Sequence, residues 1–268
     1  MIIVVTIKQV PEADKVAVNP ETGTLIREGV DSILNPFCEY ALDMAIKIRN
    51  DNPDITVEII TLSMGPPQAK MALLRCLELG ADRAYLLSDK DFAGADVWAT
   101  ALTLNEAIRK IVPKFDLILC GKQAIDGDTA QVPAELAETL GIPQIYYGID
   151  ISVEKTKIRV KREVENGFQI IETRMPALVT ICKGPFNIRR LPSMKNIIEA
   201  RKKSLETITA EELDVVNEKL GLNGSYTQVV NIFAPPVKET GKIIDGTDPG
   251  KAAEQMMAFL KEKKLINF

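Results

Sequence analysis

Residues 115–131 read FDLILCGKQAIDGDTAQ, and their three parts decide the fold. Phe115 to Cys120 is a short run without a polar face, the pattern of a strand buried on both sides in a parallel sheet. Ala130 to Leu140 has the spacing of an amphipathic helix. Between them lies a loop, Gly121-Lys122-Gln123-Ala124-Ile125-Asp126-Gly127-Asp128-Thr129-Ala130-Gln131. Its two glycines let backbone approach a ligand closely. Asp128 or Thr129 can cap the helix, whose free N–H groups and positive dipole end favour phosphate. Two readings stay open on spacing alone: a phosphate loop, or Asp126, Asp128 and Thr129 serving only as helix caps.

The same alternation extends toward the N-terminus. Ile2 to Ile7 (IIVVTI), Thr56 to Leu62 (TVEIITL) and Arg83 to Leu87 read as further buried strands, separated by helical patterns at Glu39 to Arg49, Gln68 to Leu79 and Ala95 to Ile111. This order predicts an α/β fold, a doubly wound, mostly parallel, Rossmann-like sheet. Ligands of such sheets sit outside the carboxyl ends of the strands. The other loops there begin at Thr6, at Ser63-Met64-Gly65-Pro66-Pro67 and at Ser88. In the last, Asp89, Asp91 and Asp96 could suggest Mg²⁺, but acids ahead of a helix are usually solvated caps, and no metal is expected.

Past Ile151 the pattern alternates. Lys157 to Arg162 and Gln169 to Thr173 flank the turn Glu165-Asn166-Gly167, a hairpin, and Ala177 to Cys182 reads as an extra, antiparallel strand. Arg189 to Lys203 is a basic helix or loop with an apolar side. A short helix at Ala210 to Val215, an extended Tyr226 to Val237 and a last helix near Pro249 to Lys263 follow. The expected organisation is one domain over 1–203 and a C-terminal arm over 204–268 that packs on a partner.

Composition narrows the chemistry. With 46% hydrophobic and 26% charged residues the chain is an ordinary globular protein, and a formal charge of -4 gives no general attraction to nucleic acid or an anionic membrane. No run approaches a membrane span, and a cytoplasmic setting is expected. Histidine is absent, which removes His-based triads and His-ligated zinc, and the four cysteines form no Cys-x-x-Cys pair. Redox chemistry here requires a bound cofactor. A stand-alone ATP-using enzyme lacks a Walker lysine.

Asn35-Pro36-Phe37-Cys38 together with Gly121-Lys122-Gln123-Ala124-Ile125-Asp126 resembles the beta (small) subunit of electron-transfer flavoproteins. Supporting pieces are Ile7-Lys8-Gln9-Val10, Met64-Gly65-Pro66, Gly80-Ala81-Asp82-Arg83, and Val160 to Glu163 through Met175 to Thr180. The match runs to about Lys203, and Glu165-Asn166-Gly167 replaces a more acidic pair of the family signature. The resemblance implies a heterodimer with an alpha subunit that carries its own FAD. It places nucleotide contacts on Thr6, Asn35, Pro36, Phe37, Cys38, Met64, the run Gly121 to Gln131, and Val132.

In the family's ordinary branch that nucleotide is AMP; in the electron-bifurcating branch of anaerobes it is a second FAD. The stretches Val18 to Gly29, Phe92 to Asp96 and Asp126 to Gln131 are similar to bifurcating members, whereas Phe37-Cys38 is similar to the AMP branch. The bifurcating reading implies that NADH reduces the beta-site FAD. Electrons then leave toward ferredoxin or flavodoxin and, through the alpha-subunit FAD, toward an acyl-CoA dehydrogenase-like or lactate-type dehydrogenase. No side chain of this chain is expected to be catalytic. By the same resemblance Arg190, Leu191, Met194 and Ile197 dock the dehydrogenase.

Overall fold

The computed structural model describes residues 1–12, 17–18, 25–26, 32–183, 191–213, 215–230 and 241–266. Strand β1 (Ile2–Ile7) shows why a sheet buried on both faces forms. Ile3, Val5 and Ile7 feed one hydrophobic core and Val4 the other. The same division holds in β8 (Leu117–Gly121), where Leu117 and Leu119 face the first core and Ile118 and Cys120 the second. A strand with two apolar faces is stable only between two layers of helix. Helices α1 (Pro36–Asp51) and α2 (Lys70–Leu79) cover the first face; α3 (Val97–Ile111) and α4 (Val132–Leu140) cover the second.

Among the described residues the main sheet has nine strands. From β1 it runs one way through β6 (Glu58–Met64), β7 (Arg83–Leu87) and β13 (Leu205–Ile208), all parallel. It runs the other way through β8, β12 (Ala177–Ile181) and β9 (Gln144–Glu154), also parallel. The antiparallel β10 (Lys157–Val164) and β11 (Gly167–Arg174) complete that side. The doubly wound, mostly parallel expectation therefore holds, and the strand order reverses between β1 and β8. Two short antiparallel pairs stand apart: β2 (Gln9–Pro11) with β5 (Ser32–Leu34), and β3 (Ala17–Val18) with β4 (Leu25–Ile26).

Two expectations are corrected. The run after the hairpin, β12, is not an antiparallel addition; it inserts between β8 and β9 because all five of its residues are buried and need helices on both sides. The described residues of Ala210 to Val215 form no helix. They make a turn anchored by Ala210 N–H donating to Asp89 Oδ2 at 3.0 Å. The extended reading of Tyr226 to Val237 falls partly outside the described residues, and 226–230 join no strand. Helix α5 (Met194–Ala200) begins at Ser193, whose hydroxyl accepts from Asn196 N–H.

The chain divides into two compact units, Met1–Ile232 and Phe233–Phe268. The second contains α6 (Pro249–Glu262), capped by Asp248 and without a buried side chain. Residues from 204 onward begin inside the first unit, as β13 and a clamp at 217–227. There Asp96 N–H donates to Ser225 Oγ at 2.8 Å, and Thr227 donates to Asp96 Oδ2 from its N–H at 2.9 Å and its hydroxyl at 3.0 Å. Among the described residues no helix is long and apolar enough to cross a membrane.

Candidate functional site

The reversal between β1 and β8 opens a crevice at their carboxyl ends, the place where open α/β sheets take ligands. Two segments meet there. The chain leaving β1 returns through β5 to the head of α1, where Asn35 N–H donates to Lys8 O at 3.0 Å. Pro36 opens α1, which needs no N–H at that position. Asn35 sits at the cap position, 1% exposed, but its side chain does not cap the helix. Its amide instead donates to Gln123 O at 2.9 Å and to Cys38 Sγ at 3.2 Å, and its Oδ1 accepts from Ile125 N–H at 3.3 Å. One buried side chain thus fixes the loop after β8 to the helix after β1.

Close packing fixes the root of that loop. A Cβ on Gly121 would lie 2.6 Å from the Phe37 carbonyl carbon and 2.8 Å from Cys38 N, so only glycine fits. The Lys122 ammonium lies 4.7 Å from the Phe37 ring centroid, a cation–π contact. Lys8 Nζ pairs with Asp126 Oδ1 at 2.8 Å, and Gln123 Nε2 donates to Asp128 Oδ1. Asp128 and Ala130 adopt φ of 55° and 56°. That left-handed backbone costs a non-glycine residue about 1 kcal/mol or more, so the surroundings must impose it.

The capping reading of the loop is overturned. Helix α4 starts at Val132, not Ala130, and the cap position, Gln131, offers no side-chain hydrogen bond. Asp126 and Asp128 are occupied by Lys8 and Gln123. Among the described residues the backbone N–H groups of Thr129, Ala130, Gln131 and Val132 have no acceptor. Four successive free donors at the positive end of a helix suit a phosphate group. Among the described residues a Cβ on Gly127 would meet only Lys8 Nζ, at 4.0 Å, so its backbone stands open. Gln9 Oε1, on β2 just after β1, is buried and has no hydrogen-bond partner among the described residues. Free donors, an open glycine and an orphaned acceptor together fit an adenine nucleotide.

The thiols here are neutral. Burial pushes Cys38 up against the opposing hydrogen bond from Asn35, and burial pushes Cys120 up to about 12 although the Thr6 side chain hydrogen-bonds it. Thr6 stands beside Cys120 in the β1–β8 register. Met64 ends β6, on the other side of β1, and no hydrogen bond or ring contact ties it to the loop among the described residues. Among the strand-end acids, Asp96 caps α3 by accepting from Ala99 N–H, and Asp89 accepts from Asp91 N–H. Both act as caps.

Two side chains that hold this loop carry no mark in the sequence. Lys8 was visible only as part of a strand-end loop; its partner lies 118 residues away. Tyr146, on β9, donates its hydroxyl to Ala130 O at 3.2 Å. Nothing in the run 144–154 marks it, because the strand itself was not legible there.

Of the docking residues, Arg190 lies outside the described residues. Leu191 is 83% and Met194 72% exposed, Ile197 is half-buried, and Ile198 joins the exposed set. Ala200, at the other end of α5, is buried in the first core. The helix is therefore anchored through Ala200, while Leu191 ahead of it and Met194 and Ile198 on it are exposed apolar side chains.

The sequence matches the model of the electron transfer flavoprotein domain over residues 22–213. It is similar over 99% of its length, and 100% of theirs, to three curated proteins. These are the caffeyl-CoA reductase-Etf complex subunit CarD of Acetobacterium woodii (46% identical), the electron transfer flavoprotein subunit beta of Thermoanaerobacterium thermosaccharolyticum (47%), and the acryloyl-CoA reductase electron transfer subunit gamma of Anaerotignum propionicum (37%).

Proposed function

Since the chain belongs to the electron transfer flavoprotein family as a beta subunit, we propose that it binds FAD in the β1–β8 crevice and takes electrons from NADH for bifurcation. The observation that carries the nucleotide assignment is the run of free N–H groups from Thr129 to Val132, in a loop held open by Asn35 and Lys8. When bound, FAD supplies the hydride and single-electron chemistry that links NADH, ferredoxin or flavodoxin, and the alpha-subunit FAD. The chain's own residues bind and orient. The N–H groups at the head of α4 receive phosphate oxygens, and the open backbone of Gly127 lets the pyrophosphate approach.

Asn35 and Gly121 lock the loop to α1, so that Phe37 and Cys38 form one wall of the crevice. Cys38 stays a neutral thiol and exchanges no proton at working pH. Leu191, Met194 and Ile197, with Arg190, form the contact for a partner dehydrogenase, of acyl-CoA dehydrogenase-like or lactate type. A flexible methionine among polar residues suits a transient contact. The reductase names carried by two relatives favour the acyl-CoA class.

A second reading keeps the crevice and changes its occupant to AMP, held for folding and assembly. The uncharged, buried Cys38 favours it. Denaturing the purified complex and counting released cofactors separates the two. Two flavins per heterodimer support the bifurcating reading; one flavin with one AMP overturns it.

A further inference from the structure

Between Ile145 and Asp150, strand β9 carries more residues than its neighbours need. Against β12 the register steps from Ile145↔Val179 to Gly148↔Ile181, three residues against two. Against β10 it steps from Asp150↔Lys161 to Gly148↔Arg162, two against one. Tyr147 absorbs the excess at φ 63°, with its N–H donating to Thr180 Oγ1 at 3.0 Å. Gly148 then has no room for a side chain, since a Cβ would lie 2.9 Å from Val179 Cγ1. A bulky residue at positive φ is held there only by its surroundings, and a bulge of this kind re-aims the side chain next to it.

The side chain beside it is Tyr146. Its ring packs edge-on against that of Tyr147, 5.7 Å between centroids at 76°. Its hydroxyl donates to the carbonyl of Ala130, the second left-handed residue of the loop and two residues before α4 begins. Burial, with Cys120 as a lesser influence, pushes the phenol up to about 12, so it keeps its proton throughout the neutral range.

We infer that Tyr146 is a positioning residue of the nucleotide site: the β9 bulge, with Tyr147 as buttress, holds the phenol against Ala130 and so keeps the donors from Thr129 to Val132 unpaired for phosphate. The inference rests on the nucleotide reading above. It adds a residue from a strand that contributes no loop to the crevice. It also gives the strained backbone at Tyr147, Asp128 and Ala130 one common purpose, which is to present unpaired N–H groups that an unstrained loop would bond internally.

The test uses the full chain in its native complex, stripped of nucleotide and titrated with AMP and with FAD. Tyr146→Phe removes only the hydroxyl. It should weaken both nucleotides by the same factor, roughly three- to tenfold, as expected for one lost hydrogen bond. Without nucleotide, it should speed amide hydrogen exchange at residues 129–132. Adding Ala130→Gly to Tyr146→Phe should recover most of the affinity, because glycine occupies the left-handed region without a clamp. Parent-like binding and exchange in Tyr146→Phe would overturn the inference, as would a loss that Ala130→Gly leaves unrepaired. A parent complex that binds neither nucleotide overturns the site assignment itself, while the exchange measurement still reports on the clamp.

Discussion

The buried amide of Asn35 donates to the backbone carbonyl of Gln123 at 2.9 Å, joining the head of α1 to the loop after β8 across 88 residues of sequence. The same side chain also accepts from Ile125 N–H. Replacing Asn35 by Ala removes these bonds together and leaves the Gln123 carbonyl and Ile125 N–H without partners. The expected loss is about 1–3 kcal/mol of stability, read from urea unfolding, with lower nucleotide content in the purified complex. A variant with parent-like unfolding and full cofactor would remove Asn35 from the site's framework.

Gly121 and Gly127 frame the same loop and should respond in opposite ways. Gly121→Ala drives a methyl into the Phe37 and Cys38 backbone, at 2.6 and 2.8 Å. Backbone cannot give way as a side-chain tip can, so little soluble protein, or a cost of about 3 kcal/mol, is expected. Gly127→Val meets only the mobile end of Lys8 at 4.0 Å. It should fold with a melting temperature close to the parent's in the nucleotide-free state, yet retain less nucleotide, because the branched side chain stands where phosphate would approach. Unchanged cofactor content in Gly127→Val would contradict the pyrophosphate contact.

Asp96 ties residues 225–227 to the loop after β7. Partial burial opposes its ionisation, but hydrogen bonds from Ala99 N–H and from the N–H and hydroxyl of Thr227 outweigh that and hold the carboxyl below its ordinary value. A carboxyl depressed in the folded state adds stability that is complete above its unfolded value of 3.8. That contribution is lost as pH falls through the lower folded value. Amide protection at Thr227 should therefore collapse only in strong acid in the parent. In Asp96→Asn it should already be weaker at neutral pH, with a flatter acid response. Equal protection in both proteins at every pH would contradict the clamp.

Met194, 72% exposed on α5, has nothing in the described chain to pack against its free side. Met194→Glu should shift stability by less than about 0.5 kcal/mol, as surface substitutions do, and leave cofactor content intact. Electron transfer to the partner dehydrogenase should slow, mainly through a raised KM for that partner. Parent-like kinetics would dismiss α5 as the docking element.

Legibility followed the physics of each element. Ile2–Ile7 and Arg83–Leu87 were readable to the residue, because each is an apolar run with a single polar residue, bounded by Lys8 or by Asp82 and Ser88. Strand β9 escaped detection: its bulge at Tyr147 breaks the alternation that marks a half-buried strand. The parallel course of β12 was misread for a different reason. Five buried residues fit a strand of either direction, and only its neighbours β8 and β9 choose. Strand-end position pointed to the loop Gly121 to Gln131, and resemblance alone pointed to Asn35 and Val132. Tyr146 and the partnership of Lys8 were not, because each acts across the fold.

What the sequence determined by itself was the alternation of apolar strands and amphipathic helices, and hence the sheet, its two helical layers and the loops at its carboxyl edge. These are local properties, written in the spacing of side chains along a few residues. The tertiary structure decided which acids are free. Asp126 and Asp128 look like helix caps in isolation, but Lys8 and Gln123 occupy them, and α4 begins uncapped at Val132. Gln123 reaches Asp128 from five residues away, but Lys8 lies 118 residues from Asp126, and only the assembled fold brings that pair within bonding distance and leaves the helix end open for a ligand.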